Sequence, residues 1–328
     1  MEYRPASRAA RTAPDAPCFR AATHRPFGYE SGVQHTSFDT PGNGLRLRVH
    51  RFQDEEVRPS GLTLLLLHGY MDAGGTWDLV APHLTAAGHV LLAPDLRGFG
   101  ESDGIGPGGY YHFVDYVADV DALVRGLVPE GGRLGLVGHS MGGTVASLFA
   151  GARPERVERL ALLEGLGPPA MEVSVVVDRV RAWLRNLEQV QRSPRPLESM
   201  DDALRRLAAN HPRVSREVLA SRARWLTRLD AEGRLTWAYD PLHRTTSPTP
   251  FQVEMFEAFL RAITCPTLVV GGGPSGYHPD DEPQRIAKIA GVQVADLPDA
   301  GHMMHWTRPA ELGELLARFF EAQAQSRS

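Results

Sequence analysis

The sequence predicts an α/β fold, a mostly parallel central sheet with helices on both faces and a helical cap inserted between two strands. Three observations predict it. The runs "LTLLLLHG", "HVLLAPD", "RLGLVG", "VERLALLEG" and "CPTLVVGG" are continuously apolar, as strands buried on both faces must be. Stretches such as "YHFVDYVADVDALVRGLV", apolar at helical spacing, alternate with them, and that order requires a parallel sheet covered on both sides. Between "VERLALLEG" and "CPTLVVGG" the rhythm stops, and residues 166–262 look helical with Pro-rich joints at "RSPRP" and "HRTTSPTP".

The chain begins without a clear element. Residues 1–35 are rich in Arg, Ala and Pro and lack a periodic apolar pattern, so they are expected to be a poorly ordered extension. "TSFDTPGNGLRLRVHRFQ" gives two alternating stretches about a Pro-Gly-Asn-Gly turn, a hairpin at the sheet edge. "LTLLLLHG" opens the buried strands, and a helical stretch near Trp77–Ala87 leads to "HVLLAPD". A helix, the strand "RLGLVG", a second helix and "VERLALLEG" complete the first half. After the cap come "CPTLVVGG", the shorter "VQVADLP" and the amphipathic helix "PAELGELLARFFEAQ". The core is therefore 36–165 with 263–328, and a helical block lying between two strands of one sheet should sit over the strand ends as a lid.

Composition narrows the function. The 328 residues carry a net charge of −4 with no single-sign block, which argues against nucleic acid or an acidic partner. Lys288 is the only lysine among 35 basic residues, a bias of composition and not a set of phosphate-gripping arginines. No apolar run approaches the ~18 residues that span a bilayer, and no secretory signal core is present. The expectation is a cytoplasmic protein with no membrane partner, its oligomeric state left open. Cys18 and Cys265 do not make a disulfide framework, and Cys265 is expected at the entrance of a buried strand.

The chemistry is carried by "RLGLVGHSMGGTVASLF", residues 133–149, where a Gly-x-Ser-x-Gly lies between a strand and a helix. So tight a turn holds Ser140 out at the carboxyl edge of the sheet, and small neighbours at 138 and 142 avoid clashes. A serine hydroxyl is a poor nucleophile without a base that an acid orients. "LPDAGHMMHW" offers His302 beyond the last strand, with His305 as its competitor. "HGYMDAGGTW" can present the Tyr70 amide, and the Met141 amide comes directly after the nucleophile, two donors for an oxyanion. His68 is expected to pack beneath that turn.

"LLLLHGYMDAGGTWDLVAPHL", "PDLRGFGESDG", "LVGHSMGG" and "AGHMMHW" resemble the α/β-hydrolase superfamily from about residue 36 onward. "YYHFVDYVADVDALV", "RLTWAYDPLHRTTSP" and "GYHPDDEP" are similar to its serine hydrolase-like subfamily. The resemblance implies the α/β-hydrolase fold and the chain order Ser, acid, His. Most members place an Asp after the strand that here reads "TLVVGG", but Gly273, Pro274 and Ser275 stand there. Asp280 and Asp281 lie further on, past Pro279. Glu164, at the end of "LALLEG", stands at a strand's carboxyl edge one strand beyond the nucleophile turn, where some capped relatives carry their acid. Glu164 is therefore the expected acid.

"GGGPSG" satisfies the dinucleotide-binding pattern, but no helix can open at once in "YHPDDEP", so no cofactor is expected. His302 and His305 form H-x-x-H without an obvious third ligand, so no metal is expected. The expected function is a serine hydrolase of the Ser-His-Glu type that cleaves a carboxylic ester, lactone or thioester of a small, largely apolar substrate through an acyl-enzyme. Trp183 and Trp237 in the cap and Met303 beside the base are expected to line its pocket. An aminopeptidase-like amidase, which needs a cap carboxylate to hold an amine, and a non-catalytic binding protein are the alternatives.

Overall fold

The computed structural model describes residues 22–23, 33–190 and 195–321. Most of the expected N-terminal extension lies outside the described residues. Val33–His35 belong to the first long strand, and Ala22–Thr23 pair with it, so the sheet draws in residues on the extension side of the boundary read from sequence.

The apolar runs become strands because each must hide both faces. The sheet strands are β1 (Ala22–Thr23), β2 (Val33–Pro41), β3 (Arg46–Asp54), β4 (Leu62–Leu67), β5 (Val90–Pro94), β6 (Arg133–His139) and β7 (Arg159–Leu163). A separate hairpin holds β8 (Thr227–Leu229) and β9 (Leu235–Trp237), and β10 (Thr267–Gly271) and β11 (Gln293–Asp296) return to the sheet. The sheet order is β1-β2-β3-β5-β4-β6-β7-β10-β11. From β5 to β11 every pair is parallel, whereas β1, β2 and β3 run antiparallel at one edge. That is the sheet the strand–helix alternation predicts, with the expected hairpin at its edge.

Helices cover both faces. On one face α2 (Phe113–Leu127) and α3 (Met141–Ala152) pack over the sheet, where Val120, Leu123, Val145 and Phe149 join a core with Leu65, Leu136 and Leu162. On the other, α1 (Ala81–Thr85) and the C-terminal helix Pro309–Glu321 bury Leu84, Leu312, Leu316 and Phe320 against Leu64, Leu66 and Val137. Burying that much aliphatic surface, at roughly 25 cal/mol per Å², is the main force holding the layers.

The segment between β7 and β10 carries α4 (Val176–Gln189), α5 (Met200–Asn210), α6 (Arg216–Trp225) and α7 (Val253–Ala262). It also holds the β8–β9 hairpin, where the sequence suggests helix throughout. "RLDAEGRLTW" folds as a hairpin because Gly233 takes φ +74° and the Asp230 carbonyl accepts from its amide. Leu197, Leu204, Leu219 and Leu226 give this segment a core of its own. Fully buried Arg222 ties it to the 3-10 turn Gly74–Leu79 that follows β4, bonding the Thr76 carbonyl at 2.6 Å and the Asp78 carboxylate, which also accepts from Trp225 Nε1. No residue of α4 is buried. Among the described residues, no helix is long and apolar enough to cross a membrane.

Candidate active site

Ser140 joins β6 to α3 at φ 52°, ψ −117°, a conformation an L-residue holds only when its surroundings impose it. Its amide donates to the Leu163 carbonyl at 2.9 Å, and its carbonyl accepts from the Gly143 and Thr144 amides. The flanking glycines are a matter of space. A Cβ on Gly138 would lie 2.5 Å from the Gly142 carbonyl oxygen, and one on Gly142 would lie 2.4 Å from that of Leu67. Met141 opens α3, so its amide is one of those with no acceptor inside the helix.

Glu164 stands directly after β7 with φ 45°, and its amide donates to the Val270 carbonyl. The buried carboxylate is fully engaged. Oε1 accepts from the Gly272 amide at 2.7 Å, and Oε2 accepts from the Tyr277 amide at 2.7 Å and from His302 Nδ1 at 2.6 Å. The run "GGGPSG" is explained here, because the loop after β10 must close its backbone on this carboxylate. A Cβ on Gly276 would lie 1.8 Å from Oε1, and one on Gly272 2.6 Å. Within that loop a single 3-10 turn, Gly273–Ser275, takes the place of the helix a nucleotide site would need. The place where an Asp is expected by analogy is filled from the neighbouring strand. Asp280 is exposed, and Asp281 instead pairs with buried Arg285 at 2.8 Å.

His302 lies beyond β11, with Nε2 3.0 Å from Ser140 Oγ. Donation from Nδ1 to Glu164 leaves Nε2 to accept the serine hydroxyl. Ser140, His302 and Glu164 thus form one hydrogen-bonded line, with His302 138 residues from Glu164 and 162 from Ser140 in the chain. A second set of contacts, absent from the sequence reading, braces it. His139 Nε2 donates to the His302 carbonyl at 2.7 Å, tying the serine turn to the histidine loop. Burial pushes the His139 pKa well below its usual value, so the ring is neutral.

His305 does not compete for the serine. Its Nε2 bonds Asp72 at 2.9 Å, both groups fully buried. Burial alone would raise the Asp72 pKa, but the hydrogen bond from His305 Nε2 leads the opposing influences and Asp72 is held at about 2. Asp72, His139 and His305 bring potential ligand atoms within 4.8 Å of one another, neighbours that H-x-x-H spacing does not reveal. The Asp72–His305 bond and the bond from His139 to the His302 carbonyl make them a brace beneath the histidine loop. His68 is structural as expected, with Nδ1 donating to the Gly69 carbonyl and Nε2 accepting the Leu96 amide.

Ser140 opens into a cavity of about 900 Å³ whose wall is mainly apolar and aromatic, with Tyr70, Met141, Tyr110, Val117, Phe251 and Met255 among its residues. Tyr70 donates its phenol to the His243 carbonyl, and burial pushes its pKa up to about 12, so it stays a donor. Trp183, Trp237 and Met303 do not line this cavity, contrary to expectation. Trp237 and Met303 pack against the inserted segment's own core, and Trp183 stacks edge-on behind Tyr110, a layer back from the wall. A segment that must fill its own interior uses its aromatics there first, and apolar residue type alone does not separate core from wall.

The sequence matches the family described as the alpha/beta hydrolase fold over residues 63–309, most of the chain and every residue of the hydrogen-bonded line. The chain belongs to the α/β-hydrolase family. This α/β hydrolase is similar to a serine hydrolase-like protein of Danio rerio, 36% identical over 40% of the chain and 39% of that protein. It is also similar to one of Dictyostelium discoideum, 26% identical over 72% of the chain and 66% of that protein. The hydrolase thus spans less than two thirds of the length of these two relatives. A thioesterase domain from the curacin biosynthetic pathway has a like fold, with TM-score 0.72, 26% identity, and 86% of this chain and 98% of that one covered.

Proposed function

We propose that this α/β hydrolase cleaves an ester-type bond, a carboxylic ester, lactone or thioester, of a largely apolar small molecule through an acyl-enzyme on Ser140. The observation that carries the reading is the unbroken line from Ser140 Oγ through His302 to Glu164, opening into the apolar cavity. In this reading His302 takes the serine proton as Oγ attacks the carbonyl, and Glu164 fixes the tautomer and balances the imidazolium. The amides of Tyr70 and Met141 hold the oxyanion, and His302 returns the proton to the leaving group, then activates the water that clears the acyl group. Residues 166–262 act as the lid that selects substrates, with α4 its loosest part.

An aminopeptidase-like activity needs a carboxylate free to hold an amine. Among the described residues lining the cavity Glu164 is the only carboxylate, and it is already engaged. That favours esters over amines. The test is labelling by a fluorophosphonate probe together with turnover of chromogenic esters, lactones, thioesters and amides. Wild type should label and turn over esters, and Ser140→Ala should do neither, losing several orders of magnitude in rate. Folded wild type that never reacts with the probe would sink the reading and favour a ligand-binding role.

A further inference from the structure

Arg179 is the only lysine or arginine among the described residues that line the cavity. It projects from α4, and its Nε donates to the Ser247 carbonyl at 3.1 Å, which anchors one edge of the guanidinium on a second wall residue. Tyr110, also on the wall, is close enough for the arginine charge to act on its phenol. Tyr110 is in turn fixed, its hydroxyl 2.6 Å from Thr245 Oγ1 and donating to the Thr246 carbonyl. Asn186 Oδ1, further along α4, accepts from the Thr246 amide at 2.9 Å. The arginine therefore sits in a polar corner of an otherwise apolar chamber, held by α4 and the 245–247 loop.

Among the described residues no carboxylate pairs with Arg179, although its neighbour Arg181 pairs with Asp178 at 2.9 Å. Arg179 makes no hydrogen bond to Ser140, Glu164 or His302, so it stands apart from the reacting line. Arg179 is half-exposed and its Nε is already engaged, so the remaining N–H groups of its guanidinium are open to a ligand in the cavity. A neutral apolar ligand offers them no acceptor, whereas an anionic group accepts two parallel N–H bonds. A chamber of about 900 Å³ lies near the upper end for small-molecule sites, so a ligand can reach both Ser140 and this corner.

We infer that Arg179 is a specificity-determining residue and that the substrate is an apolar ester or thioester carrying an anionic group, carboxylate or phosphate, remote from the scissile carbonyl. The inference rests on the ester-hydrolase reading above, and it adds which esters are preferred. The anion can belong to the acyl half or to the leaving group, and the two sources are separable.

The experiment compares matched pairs on the full-length protein. For the acyl half the pair is mono-p-nitrophenyl octanedioate against p-nitrophenyl octanoate. For the leaving group it is octanoyl-coenzyme A against the neutral S-octanoyl-N-acetylcysteamine. In at least one pair wild type should favour the anionic member in kcat/KM by about tenfold or more, a preference that shrinks as salt is raised. Arg179→Gln should abolish that ratio and Arg179→Lys should restore part of it, a rescue that a packing role would not produce. A preference in either pair that depends on Arg179 supports the inference and names the half that bears the charge. Turnover with no anionic preference in either pair, or a preference unchanged in Arg179→Gln, overturns it while leaving the hydrolase reading intact. If no member of either pair is turned over and the fluorophosphonate probe does not label Ser140, it is the hydrolase reading that fails.

Discussion

Replacing Glu164 by glutamine keeps the shape of the side chain and removes its charge. The wild-type oxygens accept three N–H bonds, from Gly272, Tyr277 and His302. A glutamine amide must turn its NH2 toward one of those donors. Glu164→Gln should therefore keep the fold and lower kcat by about 10³–10⁴ on the best chromogenic ester, since orientation and counter-charge are lost together. A kcat within tenfold of wild type would reject Glu164 as the orienting acid. Asp281→Asn should behave in the opposite way, because it weakens the hold on buried Arg285, which also bonds the Leu166 and Pro168 carbonyls. It should lower Tm by a few degrees and leave kcat unchanged. His139→Leu removes the donor to the His302 carbonyl and should cut kcat by about tenfold with KM little changed, while His139→Gln, which retains an N–H at that reach, should recover most of it. Ser140 and Glu164 can be picked out in the sequence because each directly follows a buried strand, and His302 because it stands in a small-residue turn beyond the last strand. The Asp72–His305 pair is not, since its members lie 233 residues apart and neither has a local signature.

The buried strands are readable at the scale of the element because a run of aliphatic residues has few other places to go. The β8–β9 hairpin escapes such a reading because its strands are three residues long, too short for alternation to register against helical surroundings. The loop after β10 is legible only as an anomaly, glycines in a pattern that binds no nucleotide. Its fit to Glu164 predicts that Gly276→Ala, whose Cβ would fall 1.8 Å from Oε1, will displace the carboxylate. Such a variant should lose most of its turnover on chromogenic esters. Unchanged kinetics would mean the loop yields without moving Glu164. In the inserted segment, α6 is anchored through Arg222 and Trp225, while α4 buries no residue. Amide exchange measured by mass spectrometry should find α4 opening well before α6. Equal protection of the two helices would contradict a lid whose loose part is α4.

Across the whole molecule, burial lowers the pKa of several histidines below the ordinary 6.5. His89 falls to about 4 and His243 to about 3, and His68, His139 and His305 fall as well. Below pH 6.5 the unfolded chain takes up protons on these residues that the folded protein refuses, so stability declines as pH drops from about 6.5 toward the folded values. Scanning calorimetry should show Tm falling by about 5 °C or more between pH 7.5 and pH 5. A flat profile would mean these rings are protonated in the fold. The parallel sheet is implied by the alternation of elements, but where the inserted segment grips the rest of the fold is not, since Arg222 is one of many arginines in the sequence. The spacing of the three hydrogen-bonded residues along the chain has a temporal consequence. Ser140 and Glu164 close a short strand–helix–strand unit, while His302 must return across 138 residues that include the whole inserted segment. Closing the longer loop costs more chain entropy and depends on more of the structure being in place. During refolding from denaturant, reactivity toward the fluorophosphonate probe should accordingly recover later than the far-ultraviolet helical signal, so that the first covalent bond Ser140 makes is a timestamp for the completion of the fold.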